Sequence, residues 1–427
     1  MKNPNPDAGR RHFLTSAALA AAVAPFAQKV LASATTVPTP SLPHTLTSGV
    51  EPFWGKHQGG IATPIQRFTY FIAFDVVTTK RDDLIKLFRA WTDVTAKMTS
   101  GPAHFDPSAD PNQPNEESGA TVGLPASRLT ITFGFGPTLF VKNGEDRFGL
   151  AKQRPEALVD MPHFAGEQLV PERTGGDLSI QACADDPQVV EYAVRRLARL
   201  ASGIAVMRWA QMGFTGGFKH GETPRNQMGF KDGTINISTQ DPKAMNKFVW
   251  VGEEGPSWMR NGSYMVIRPT RIALDHWDQM KLSFQEETVG RYKASGAPIG
   301  KKHEFDSLDL KATDKDGNTL IAETSHAALA APENNDGAQI LRRAFSYDNG
   351  IAQITERWPP WRQVVTFDAG LLFQCYQRDP RTGFIEIFLK MAQIDMQNQF
   401  TTHIGSGLFA CPPGASPGGF VGQDLFV

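Results

Sequence analysis

Three residues far apart in the chain combine into one chemistry. Asp232 lies in Gly229-Phe230-Lys231-Asp232-Gly233-Thr234, His326 in Ser325-His326-Ala327, and Arg342 in Leu341-Arg342-Arg343-Ala344-Phe345. An Asp between glycines is, taken alone, as readily a turn whose side chain caps nearby N–H groups. In company with a histidine and an arginine it suits peroxide chemistry at a haem. Ferric haem takes a neutral imidazole as its axial ligand and leaves its other face open, and His326 is the candidate ligand, hence the metal residue. A carboxylate near a cation can take a proton from one peroxide oxygen and return it to the other, a role for Asp232 with Arg342 beside it to favour the ionised acid. As the O–O bond splits, negative charge grows on the leaving oxygen, and a fixed guanidinium stabilises it, a role for Arg342. Arg343 is read as surface-facing or near a haem propionate.

The elements that must position these residues show in the periodicity. Phe68–Val77 is a β-rich apolar run, and Arg81–Met98 follows it with Leu84, Ile85, Leu87, Phe88 and Trp91 at helical spacing. The pattern recurs with Asp177–Ala184 before Pro187–Ala201, Ser263–Arg268 before Ala273–Lys281, and Leu371–Gln377 before Phe384–Ile394. Strand–helix pairs twice in each half predict an α+β protein of two split-βαβ sandwiches, each an antiparallel sheet covered by helices on one face. Two long polar connections, Gly213–Gly233 and Asp306–Asn335, hold the Asp and the His. Connections of that length are uncommon unless they carry function.

Composition narrows the class. The chain has 427 residues, 41% of them hydrophobic and 20% charged, with a formal net charge of -1. That is a globular composition with no electrostatic footprint for nucleic acid or an anionic membrane. Cys183, Cys375 and Cys411 are too scattered for a zinc site, an iron–sulfur cluster or a covalent haem attachment. They read as core residues, and any haem is held non-covalently. Arg10-Arg11-His12-Phe13-Leu14, the Ala-rich run Ala17–Ala27 and Ala32-Ser33-Ala34 form a twin-arginine export signal, too short in its apolar run to span a membrane. The expected layout is signal peptide 1–34, an extended and unpacked arm 35–66, an N-terminal domain 67–220 and a C-terminal haem-binding domain 221–427.

Beyond these readings, nearly the whole mature chain resembles the dye-decolorizing (DyP-type) haem peroxidase family, and within it the EfeB deferrochelatase/peroxidase branch. The resemblance is carried by Gly55–Ile61, Leu129–Gly136, Gly176–Leu178 with Gln181–Asp186, Gly221–Gly233, Gly290-Arg291 with Gly296–Pro298, Ser325-His326 and Leu341–Arg343. It implies two ferredoxin-like domains forming a DyP-type dimeric α+β barrel, one haem b per chain in the C-terminal half, a homodimer, and a periplasmic setting linked to iron-uptake proteins such as an iron permease. It implies Asp232 as distal acid–base residue, Arg342 as distal arginine and His326 as proximal ligand. Gly233, Thr234 and Ile235 would line the haem face, and Ala331, Pro332 and Glu333 its edge. Two departures stand out. Ala331-Pro332-Glu333 puts an acid where the branch often has a basic residue after Asn-Pro. Asn398 and Gln399 stand near the place of the carboxylate that usually polarises the proximal imidazole, so a neutral partner and a raised iron potential are expected.

Other candidates have ordinary readings beside functional ones. His57 with Gln58 suits a structural hydrogen-bonding pair, and His403 a packing or capping role. Glu222 and Arg225 are read as ordering the loop of Asp232. Trp361, Tyr376 and Tyr347 are core aromatics that would also serve as relays to bulky reductants. The function expected is oxidation of bulky phenols, dyes or ferrous iron by hydrogen peroxide. The alternatives are release of iron from haem with the porphyrin intact, resting on the branch alone, and a non-enzymatic carrier, which would leave the Asp/Arg pair without purpose.

Overall fold

The computed structural model describes residues 49–427 apart from 102–109, 114, 116, 219–221 and 356–361. The export signal, Gly221 and Trp361 therefore lie outside the described residues. The described residues form one compact unit.

The strands are β1 (Phe68–Val76), β2 (Thr130–Phe135), β3 (Leu178–Ala184), β4 (Ala205–Phe214), β5 (Ser263–Ile272), β6 (Leu341–Arg342), β7 (Phe345–Thr355), β8 (Gln363–Gln377), β9 (Thr401–His403) and β10 (Gly407–Cys411). They lie in one sheet ordered β6-β8-β7-β4-β1-β3-β2-β10-β5-β9. β1 to β4 adopt the order 4-1-3-2, the ferredoxin-like arrangement. The set β5, β7, β8 and β10 repeats it, because β10, β5, β8 and β7 are successive neighbours through the β5–β8 pairing. That pairing, from Tyr264↔Gln377 to Arg271↔Gly370, closes the sheet into a barrel. The two halves meet edge to edge at single residue pairs, Phe214↔Ser346 and Ala410↔Phe135. Each half thus offers the edge of its fourth strand to the second strand of the other, so these edges face a neighbour instead of standing open.

Alternation along β1 sends Ile72 and Phe74 to the helix-covered face and Phe71 and Ala73 to the barrel interior. Helix Arg81–Ser100 buries Leu84, Leu87, Phe88 and Trp91 as its periodicity predicts. Helix Pro187–Leu200 begins at Asp186, whose carboxylate accepts from the N–H groups of Gln188 and Val189, with Pro187 in the first turn. In the interior the Tyr376 hydroxyl donates to Gln181 Oε1 at 2.8 Å, a bond between strands of different halves. Tyr347 is fully buried there. All three cysteines are buried and unbridged.

The described part of the arm corrects an expectation. It forms no helix or strand, yet it is packed: Gln58, Ile61 and Gln66 are buried. Gln58 donates to the carbonyls of Phe133 and Pro412 and accepts from the N–H of Phe133. Its amide thus replaces a strand neighbour. His57 Nδ1 meets the Asn261 carbonyl at 2.7 Å and its ring stacks on Trp250. Arg343 is neither on the surface nor at the site. It is buried, and its guanidinium donates to the Thr63 carbonyl and to Gln66 Oε1. Arg343 directly follows β6 with its N–H on the Gln374 carbonyl, and the alternation of extended backbone that exposes Arg342 to the site turns Arg343 into the core.

Candidate active site

Asp232 is presented by a loop tied to itself. Its N–H donates to the Pro224 carbonyl at 2.8 Å, and the N–H of Asn226 donates to Phe230 at 3.0 Å. Gly229 and Gly233 have φ of +85° and +118°, backbone conformations that side chains disfavour. Arg225 fastens the loop by donating to the carbonyls of Gly229, Lys293 and Ala294. The ordering role expected of Arg225 is therefore seen.

Arg342 lies on the short edge strand β6, paired to Cys375 of β8. Its backbone N–H donates to Asn236 Oδ1 and its carbonyl accepts from Asn236 Nδ2, so an asparagine side chain covers the strand edge. The guanidinium donates from Nη1 to Asp232 Oδ1 at 2.9 Å and from Nη2 to the Ile235 carbonyl at 3.2 Å. Two residues 110 positions apart thus form one ion pair.

His326 opens a short helix, His326–Leu329. Leu329 packs with Ile387 and Met391 of the helix Phe384–Ile394, which brings the end of that helix beneath the imidazole. There His326 Nδ1 meets Asp395 Oδ2 at 2.7 Å. The expected neutral partner is therefore wrong: the imidazole has a carboxylate, three residues before Asn398. Asn398 Nδ2 instead donates to the carbonyls of Met391 and Ala392, closing the helix end. Asp395 also caps the turn that follows it, accepting from Gln397 N through its other oxygen. Burial disfavours the charged imidazole, but Asp395 outweighs it and the His326 pKa stands above its usual value.

Both constellations line one cavity of about 240 Å³. Asp232, Gly233, Thr234, Ile235, His326, Ala331, Pro332 and Arg342 all line it. Glu333 does not; it is exposed on the short turn Pro332–Asn334, where the Pro that opens the turn faces the cavity in its place. His403 lines the cavity with its Nδ1 at 2.9 Å from the Thr270 hydroxyl. The walls are otherwise largely apolar, including Ile272, Val289, Leu371, Phe373 and Met391.

The residues present fit a haem. With Nδ1 held by Asp395, Nε2 is the imidazole nitrogen left for a metal. Apolar walls suit a porphyrin. Arg291, 6% exposed, also lines the cavity, and its Nη2 is buried without a hydrogen-bond partner. A buried guanidinium with an idle donor calls for an anion, and a porphyrin carboxylate supplies one. Sequence reasoning quoted Arg291 only as a matching position; its burial was the missing signal.

An acid paired to an arginine and a carboxylate-backed imidazole, sharing a cavity on an α+β barrel, define a haem peroxidase class. The Dyp-type peroxidase family models match in both parts, the N-terminal one over residues 58–215 and the C-terminal one over residues 223–416. A dye-decolorizing peroxidase of Thermobifida fusca is 36% identical over 86% of this chain and 83% of its own length. A deferrochelatase of Escherichia coli K12 is 36% identical over 88% of each chain. The solved structure of DtpA from Streptomyces lividans, an oxyferrous complex, superposes with a TM-score of 0.79 at 37% identity, covering 90% of this chain and 99% of that one.

The chain belongs to the Dyp-type peroxidase family. It is a haem-binding enzyme that uses hydrogen peroxide with a reductant. Among the described residues no helix is long and apolar enough to cross a membrane.

Proposed function

We propose that the chain binds haem b non-covalently through His326 and oxidises bulky organic reductants or ferrous iron, with Asp232 and Arg342 acting on the peroxide. When bound, haem supplies the centre that accepts the two oxidising equivalents of hydrogen peroxide. Asp232 takes the proton from one peroxide oxygen and delivers it to the other as the O–O bond breaks, so that water leaves. Arg342 offsets the negative charge that develops on the departing oxygen. Its bond to Asp232 keeps donor and acid in register, so neither group reorganises during the step. Asp395 holds His326 in the tautomer whose Nε2 is free and raises the basicity of that nitrogen.

The observation that carries this reading is the 2.9 Å Asp232–Arg342 pair in the same cavity as the 2.7 Å His326–Asp395 pair. General acid–base groups contribute roughly 10²–10⁴-fold and a fixed charge donor roughly 10²–10³-fold. Mixing the haem-loaded protein with one equivalent of hydrogen peroxide in a stopped-flow spectrometer should therefore give a rapid change of the haem band that Asp232→Asn or Arg342→Leu slows by at least about tenfold. Wild-type rates in both variants would remove both roles.

The setting follows the same reading: export by the twin-arginine route to the periplasm, a homodimer, and association with iron-uptake proteins. The equal identity to a deferrochelatase favours a second activity on the same cargo, release of iron from haem with the porphyrin intact. Its test is the appearance of fluorescent metal-free porphyrin when the protein is incubated with haem and a reductant.

A further inference from the structure

Arg225 fastens the start of the loop that presents Asp232, while the residues flanking Asp232 itself are held from elsewhere. Lys231 precedes Asp232 and Thr234 follows Gly233, and both side chains end on one carboxylate from a distant loop. Lys231 Nζ donates to Glu304 Oε2, and Thr234 Oγ1 donates to Glu304 Oε1 at 3.0 Å. The same residue also reaches the cofactor side of the cavity. Its backbone carbonyl accepts from Arg291 Nη1 at 3.0 Å, and the other arm of that guanidinium, on a residue that lines the cavity, is the buried unpaired donor.

Resting on the reading of Asp232 and Arg291 above, we propose that Glu304 is a positioning residue that holds the acid and the cofactor's carboxylate-binding arginine in one frame. Glu304 is not among the residues lining the cavity, so it works through its partners. Its side chain is 10% exposed, which makes charge-assisted bonds here stronger than those of a surface pair. Burial opposes its charge, but Lys231, Thr223 and Thr234 outweigh that and keep its carboxyl below the usual range, so it remains an acceptor for both flanks of Asp232.

The test uses the haem-loaded protein and two readouts: the rate of the peroxide step, and the rate of haem transfer to excess apomyoglobin. Asp232→Asn and Arg291→Met run beside the Glu304 variants. Glu304→Ala keeps the carbonyl that Arg291 binds but cuts the residue loose from the Asp232 loop, so it should slow the peroxide step by about tenfold, the lower end for loss of an outer partner, and hasten haem transfer through the slackened hold on Arg291, leaving the KM for the reductant unchanged. Lys231→Met should slow the peroxide step by itself, yet add less than roughly twofold in the Glu304→Ala background, since partners in one network are not additive. If Asp232→Asn slows the peroxide step while Glu304→Ala matches wild type in both readouts, the positioning role is overturned and the reading of the site stands. If Asp232→Asn itself matches wild type, both fall. Should Glu304→Ala fail to fold, Thr234→Val removes one link at nearly constant shape; it must slow the peroxide step, and a wild-type rate overturns the proposal.

Discussion

A single carboxylate determines the electronic character of this site. On the proposed reading of His326 as the iron ligand, Asp395 at 2.7 Å from Nδ1 would make it a strong donor, which would stabilise the ferric state and lower the reduction potential. The raised potential expected from a neutral partner is withdrawn. Asp395→Asn keeps a hydrogen-bond acceptor but removes the charge, so it should raise the ferric/ferrous midpoint potential and slow the peroxide step by roughly 10-fold or more. Spectroelectrochemical titration of wild type and variant decides this, and equal potentials would show that the carboxylate is only a helix cap. The Asp232–Arg342 pair belongs to the same scale: its two groups are joined by a direct bond, so their variants should be less than additive in the peroxide step.

At the scale of elements, the β5–β8 pairing carries both the closure of the barrel and one wall of the cavity. It depends on a residue with no side chain. A Cβ on Gly370 would lie 2.0 Å from the Thr270 carbonyl oxygen and 3.0 Å from Arg271 Cα, both backbone atoms that cannot rotate away. Gly370→Ala must therefore spread the two strands, and overpacking of this kind costs about 1–3 kcal/mol. Thr270, Ile272 and Leu371 flank this contact and line the cavity, so the same variant should lose haem faster as well as melt earlier. A melting temperature and haem-transfer rate equal to wild type would show that the strands have slack. The helix Phe384–Ile394 is the other critical element, since its packing on Leu329 is what delivers Asp395 to the imidazole.

For the molecule as a whole, two ferredoxin-like halves are joined into one closed sheet and share one core. Phe133, Phe135 and Leu178 of the first half lie in the same apolar cluster as Trp258, Val266 and Leu408 of the second. Trp258 touches the rings of both Phe135 and Phe140. Neither half can unfold without exposing the other, so calorimetry of the haem-free protein should give a single transition whose van't Hoff and calorimetric enthalpies agree. Two resolved transitions would mean that the halves at 67–220 and 221–427 are independent folding units.

Much of this was legible in the sequence, because the signals concerned are local. Helical and strand periodicities marked Phe68–Val76, Arg81–Ser100, Leu178–Ala184 and Phe384–Ile394 within a residue or two, since each depends only on which face of an element is apolar. Asp232, His326 and Arg342 stood out because their residue types and loops suit one chemistry, and the resemblance to a family tied them together. Tertiary structure alone decided the rest. Asp395 is 69 residues from His326 and Glu304 is 70 from Thr234, and no local pattern encodes either meeting. Arg343 looked like a companion of Arg342 until the sheet gave them opposite faces. The arm read as unpacked because much of what anchors it is glutamine amide, which carries no hydrophobic signal and becomes visible only where it satisfies a distant backbone. Residue types and periodicity are properties of the chain, and these the sequence determined; which distant polar groups meet depends on how whole elements pack, and only the closed barrel decided that.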